Sequence, residues 1–141
     1  MTVMDIDELS ENFELLDNWE DKYRYLIDLG EKLPPFAEQY RTEEWKVSGC
    51  QSQVWLVPSV AEKDGESRLT FTGDSDAAIV RGLIAVVLML FSGKSREEIL
   101  SLDVPAVFAR LGLSDHLSPS RRNGLGAMVE KIRYYASKGY A

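Results

Sequence analysis

The sequence predicts an α+β fold: a small antiparallel β-sheet packed against several helices. Three observations carry this. Residues 53–72 hold two β-rich runs on either side of Asp64-Gly65, a tight-turn signal. Apolar residues recur at helical spacing before and after that region. Strands and helices do not alternate, so a doubly wound parallel sheet is excluded. The length of 141 residues fits one domain over 1–141. A composition of 45% hydrophobic and 28% charged residues is globular usage, not that of a disordered chain.

Each element follows from its own residues. Ile6, Leu9, Phe13 and Leu16 predict a short amphipathic helix over 5–17. Trp19, Tyr23, Leu26, Ile27 and Leu33 predict a second, with Asp17 or Asn18 as cap. Pro34-Pro35 ends it, because proline donates no backbone bond and disfavours α geometry in the residue before it. Residues 36–45 read as a connecting loop ending at Trp45. The hairpin occupies 51–73, with Pro58 at a strand edge or bulge and 45–48 as a candidate third strand. Residues 76–91 carry only Asp76 and Arg81 as charges and predict a buried central helix, capped by Ser75 and ended by Gly93. Its stripe of Leu83, Val86, Val87 and Leu90 is core.

Ser95-Arg96-Glu97-Glu98 is a capping box that opens a short helix. Asp103 caps another, which reaches Arg110 and stops at Gly112. Ser118-Pro119 is an N-cap followed by proline at the first helical position. Leu125, Met128, Val129, Ile132 and Tyr135 carry this last helix to about Ser137, and Gly124 and Gly126 inside it read as close-packing positions.

Composition excludes several function classes. One Cys and one His preclude an intrachain disulfide and leave too few ligands for a Cys/His zinc site or a four-Cys cluster. The net charge of −7 argues against nucleic acid, whose phosphates require Lys and Arg. Residues 1–16 hold five acidic and no basic side chains, the reverse of a targeting leader. The longest apolar stretch, 79–91, is interrupted by Arg81 and is too short for a membrane span. The expectation is a cytoplasmic protein with reduced thiols. Residues 1–45 carry 13 acidic and 4 basic side chains. They form either a solvated face or one that steers a basic partner, and the solvated face is the simpler reading.

The lone thiol is the residue to explain. Cys50 stands in Gly49-Cys50-Gln51-Ser52-Gln53-Val54-Trp55, a loop running into a strand, with Gly49 free to adopt an unusual backbone angle. Reactive groups are placed on such loops, but free cysteine is among the most buried residue types and more often behaves as a small hydrophobe, so the local sequence alone favours the structural reading. That run, followed by Gly73-Asp74-Ser75-Asp76-Ala77-Ala78-Ile79-Val80 with Gly82-Leu83, and then Leu117-Ser118-Pro119-Ser120-Arg121 with Gly124-Leu125, resembles the SufE family. The resemblance extends over nearly the whole chain, and the related CsdE branch shares the cysteine motif.

The resemblance implies an α+β fold like that of IscU-type scaffolds. It also implies a sulfur acceptor in iron–sulfur cluster assembly, with Cys50 as persulfide carrier. The implied partners are a cysteine desulfurase of the SufS or CsdA type and a downstream SufBCD-type scaffold complex. Pyridoxal phosphate belongs to the desulfurase, and this chain needs no metal or cofactor. Such a protein is a sulfurtransferase-like carrier rather than a stand-alone enzyme. The alternatives are a non-catalytic regulator and a scaffold-type binding module. Gly49, Gln51, Ser52, Gln53, Asp74 and Arg121 are expected to support the site or bind the partner. Asp74 and Asp76 read as negative charge at a helix N-terminus, Arg121 as a cation held at an unfavourable helix end, and His116 as a capping or surface residue.

Overall fold

The computed structural model describes residues 6–49 and 52–138, apart from the side chains of Lys63 and Ser114. Two helices, α1 (Ile6–Glu14) and α2 (Trp19–Glu31), come first. Asn18 caps α2 by accepting the Asp21 N–H at 2.9 Å. Beyond Pro34-Pro35 the chain crosses the molecule as an irregular strap with two short 3-10 turns, Glu38–Tyr40 and Glu43–Trp45. The hairpin follows: β1 (Val54–Lys63) and β2 (Glu66–Ser75), antiparallel, with Val54 opposite Ser75 and Lys63 opposite Glu66. Asp64 and Gly65 make its turn with φ of 53° and 78°. Two consecutive positive φ angles match the right-handed twist of paired strands.

Five helices complete the described chain: α3 (Ala78–Phe91), α4 (Arg96–Ser101), α5 (Val104–Leu111), α6 (Leu113–His116) and α7 (Pro119–Lys138). The capping box is present, with Ser95 and Glu98 each accepting the other's backbone N–H. Asp103 caps α5, and Gly112 ends it in the left-handed conformation.

The core lies between α3 and its neighbours. Leu83, Val86, Val87 and Leu90 are buried as expected, with Leu26 of α2, Leu56 of β1, Phe71 of β2 and Met128 and Ile132 of α7 around them. Helices α2 and α3 cross backbone to backbone. A Cβ on Gly82 would lie 2.2 Å from the Leu26 carbonyl oxygen, and one on Gly30 would lie 2.6 Å from the Gly82 nitrogen. The hairpin is unevenly covered. Val54, Trp55, Leu56 and Val57 are all buried, so both faces of β1 are covered at its base. Toward the tip the residues become exposed.

Four expectations are corrected. The central helix starts at Ala78 rather than Asp76, because β2 continues to Ser75 and the Asp76 N–H donates to the Gln53 carbonyl at 3.3 Å. Ser75 therefore is no helix cap: its hydroxyl accepts the Ala77 N–H from inside the strand. Segment 45–48 makes a single bridge, Lys46 to Trp55, instead of a third strand. Gly126 packs against nothing, since a Cβ there would meet no atom within 4 Å.

Candidate functional site

The base of the hairpin, where β1 begins and β2 ends, fixes both arms of the segment that bears the cysteine. On the incoming arm the Val47 N–H donates to the Val54 carbonyl at 2.8 Å, beside the Lys46–Trp55 bridge. Gly49 follows with φ of 92°, a conformation that suits glycine, and a Cβ there would lie 3.4 Å from Ala127 of α7. On the outgoing arm the Gln53 N–H donates to Asp76 Oδ1 at 3.1 Å, and the Asp76 N–H returns a bond to the Gln53 carbonyl. Cys50 and Gln51 lie outside the described residues.

Next to these arms is an open cleft of about 230 Å³. Ser52 forms one wall. Ala77, Ile79, Val80 and Leu83 from the start of α3 form the second. Ser118, Ser120, Arg121 and Gly124 around the start of α7, with Met128 from its middle, form the third. The three sequence motifs, separated by tens of residues in the chain, thus meet at one place. The inner lining is apolar and buried at Val80, Leu83 and Met128. The rim is polar through Ser52, Ser118, Ser120 and exposed Arg121. Arg121 sits in the first turn of α7, where its N–H is accepted by the Ser118 hydroxyl at 3.3 Å. Such a cleft can hold a small, weakly hydrated group away from bulk water while leaving a mouth for a partner.

Asp74 does not serve a helix N-terminus. It lies opposite Trp55 in the hairpin, and its carboxylate is 13% exposed. Arg41 Nη2 donates to its Oδ2, the Ser75 N–H donates to its Oδ1 at 2.8 Å, and Arg81 Nε approaches Oδ1 at 3.1 Å. The Arg81 contact is one of charge without aligned hydrogen-bond geometry. Asp76, likewise read as helix charge, is the acceptor for Gln53 instead.

Arg41 is the residue sequence reasoning missed. It sits on the strap, bonds Glu38 at 2.8 Å as well as Asp74, and lies over the rings of Phe36 and Trp55 at 5.3 and 5.2 Å. The hydrogen bond to Asp74, joined by that carboxylate's charge, raises the guanidinium pKa. The available signal was a cation within an otherwise acidic, aromatic run over 36–45.

His116 is a surface residue, as expected. Its ring stacks on Trp19 at 4.2 Å, Nδ1 lies 3.0 Å from the Gly112 carbonyl, and its own carbonyl accepts the Tyr23 hydroxyl. The Trp19 and Tyr23 contacts join α2 to α6. Among the described residues no group of three or more His, Cys, Asp or Glu side chains is placed to hold a metal, and no described helix is long and apolar enough to cross a membrane.

An α+β domain whose hairpin base and two helix starts enclose such a cleft beside a cysteine motif defines a class. The chain belongs to the SufE family, described as the Fe-S metabolism associated domain, which matches residues 7–136. Membership implies a role in iron–sulfur metabolism. The chain is 49% identical over 128 residues to an uncharacterized SufE-like protein of Rhizobium meliloti (strain 1021), covering 91% of each. It is 50% identical over 128 residues to another from Rhizobium etli, covering 91% of this chain and 86% of that one. The fold is also similar to the solution structure of a hypothetical protein from Thermus thermophilus, with a TM-score of 0.69 and 23% identity over 98% of this chain and 97% of that one.

Proposed function

We propose that this chain is a cytoplasmic sulfur acceptor that takes sulfane sulfur from a cysteine desulfurase onto Cys50 and passes it to an iron–sulfur scaffold complex. The observation that supports it most is the convergence of all three motifs on one apolar-lined cleft whose wall at Ser52 is two residues from Cys50 in the chain. The step is thiol–disulfide exchange in form. The Cys50 thiolate attacks the terminal sulfur of the donor persulfide. A new sulfur–sulfur bond forms on Cys50, the donor's breaks, and the donor cysteine leaves as thiolate. The transferred sulfur keeps its proton, and no net oxidation occurs. Removing the persulfide from the desulfurase frees it for another turnover, which is how an acceptor accelerates it.

The test is an intact mass spectrum after incubation with a desulfurase and cysteine, without reductant. The wild-type chain should gain roughly 32 Da per sulfur, lost on reduction. Cys50→Ser should gain none, because a hydroxyl is a poor nucleophile toward sulfane sulfur. Binding should persist while stimulation of the desulfurase disappears. Full stimulation by Cys50→Ser would make the chain a regulator instead.

A further inference from the structure

The strap 34–47 has neither helix nor strand long enough to hold itself, yet it delivers the chain to Gly49. Its far end is held by the Lys46–Trp55 bridge and the Val47–Val54 bond, and its middle is tied to the hairpin by Arg41. Trp55 is at once the cross-strand partner of Asp74, the bridge partner of Lys46 and one of the two rings beneath the Arg41 guanidinium. Trp55 and Asp74 share a hairpin face, opposite the face that carries Leu56 and Gly73 toward the α3 core. Arg41 lies over that outer face, bonding Asp74 through one nitrogen and Glu38 through another. A planar guanidinium can do both while stacking on aromatic rings, which a lysine ammonium cannot. Shortly beyond it the strap joins β1 at the Lys46–Trp55 bridge.

We propose that Arg41 is a positioning residue for sulfur transfer. Held by Asp74 and seated on Trp55 and Phe36, it sets the path of the segment entering the Cys50 loop, and so the orientation in which the thiolate meets the donor. The proposal rests on the sulfur-acceptor reading. It predicts an effect on the transfer step rather than on docking, because misorientation of a nucleophile lowers the rate within the complex.

The experiment follows single-turnover transfer from a persulfide-loaded desulfurase to the full chain, with donor concentration varied. Arg41→Gln should lower the saturating rate about tenfold while leaving the half-saturating donor concentration nearly unchanged. Arg41→Lys should restore only part, since it keeps charge but not the fork or the stack. Asp74→Asn should act in the same direction, and the double variant should lose little more than either single one. Tyr135→Phe, which removes the buried bond from its hydroxyl to the Leu56 carbonyl at 3.0 Å, is the stability control and should transfer at the wild-type rate. A wild-type rate in Arg41→Gln, full rescue by Arg41→Lys, or an equal loss in Tyr135→Phe overturns the proposal. A change confined to half-saturation does so too, by making Arg41 a docking residue. Alkylation of Cys50 by iodoacetamide needs no desulfurase and is expected to change severalfold in Arg41→Gln. An unchanged alkylation rate counts against the clamp even where the wild-type chain takes up no sulfur, the result that refutes the acceptor reading itself.

Discussion

The same substitution, glycine to alanine, should have opposite effects at two helical sites. Both replacements gain helix propensity, about 1 kcal/mol each. At Gly126 nothing lies within 4 Å of the new methyl group, so that gain should survive almost whole. At Gly82 the methyl would lie 2.2 Å from the Leu26 carbonyl oxygen and 2.6 Å from its carbon, atoms of a helix backbone that cannot rotate aside. Relief requires α2 and α3 to separate, and overpacking of this kind costs about 3 kcal/mol at the upper end of its usual range. The net effect is a loss of about 2 kcal/mol, the overpacking cost less the propensity gain. With about 4 °C per kcal/mol for a domain of this size, Gly82→Ala should melt about 8 °C below wild type and Gly126→Ala about 4 °C above it. Circular dichroism melts and urea titrations of the two variants provide the comparison. A Gly82→Ala melting temperature at or above wild type would refute the backbone-contact account of the α2–α3 crossing. A fall in Gly126→Ala would show that its methyl does meet something.

Further outcomes follow from single contacts. Asp74→Asn removes the counter-charge of two arginines; discounting the buried-pair penalty for their partial exposure leaves a loss of about 1–2 kcal/mol, read by urea denaturation. Tyr135→Phe should lose about 1 kcal/mol with the fold intact, since one buried hydrogen bond goes and the carbonyl is left unpaired. Glu98 has its pKa held below 4.5 in the folded chain, first by the Ser95 N–H and then by the Ser95 hydroxyl. Its contribution is present above 4.5 and fades as pH falls through the lowered value, so Glu98→Gln should flatten the acid limb of a stability-against-pH curve and Ser95→Ala should shrink it.

How far the sequence reaches depends on the range of the contacts involved. The hairpin turn, the capping box and the Asp103 and Gly112 boundaries were legible because each is decided within a few neighbouring residues. The start of α3 was not: Ser75-Asp76 has the chemistry of a cap, but the distant Gln53 backbone takes Asp76 into the strand ladder. The cysteine motif, Ser52 and Arg121 were legible as sequence runs, and the cleft where three runs meet was implied by none of them singly. Arg41 reaches Asp74 across 33 positions, and no periodicity announces such a pair. Helix α6 is a single turn, too short for any apolar stripe.

The hairpin separates two environments along one rigid ribbon. At its base β1 is covered on both faces, whereas at Gly65 a side chain would meet nothing within 4 Å. Ten residues of β1 at about 3.4 Å each put that turn roughly 30 Å from the cleft. Exposed turns of this kind tolerate insertion and cleavage. The Asp64-Gly65 turn is therefore the natural place to attach a fluorophore or a tether: a label there rides on the same two strands whose base borders the cleft, yet stands well away from it.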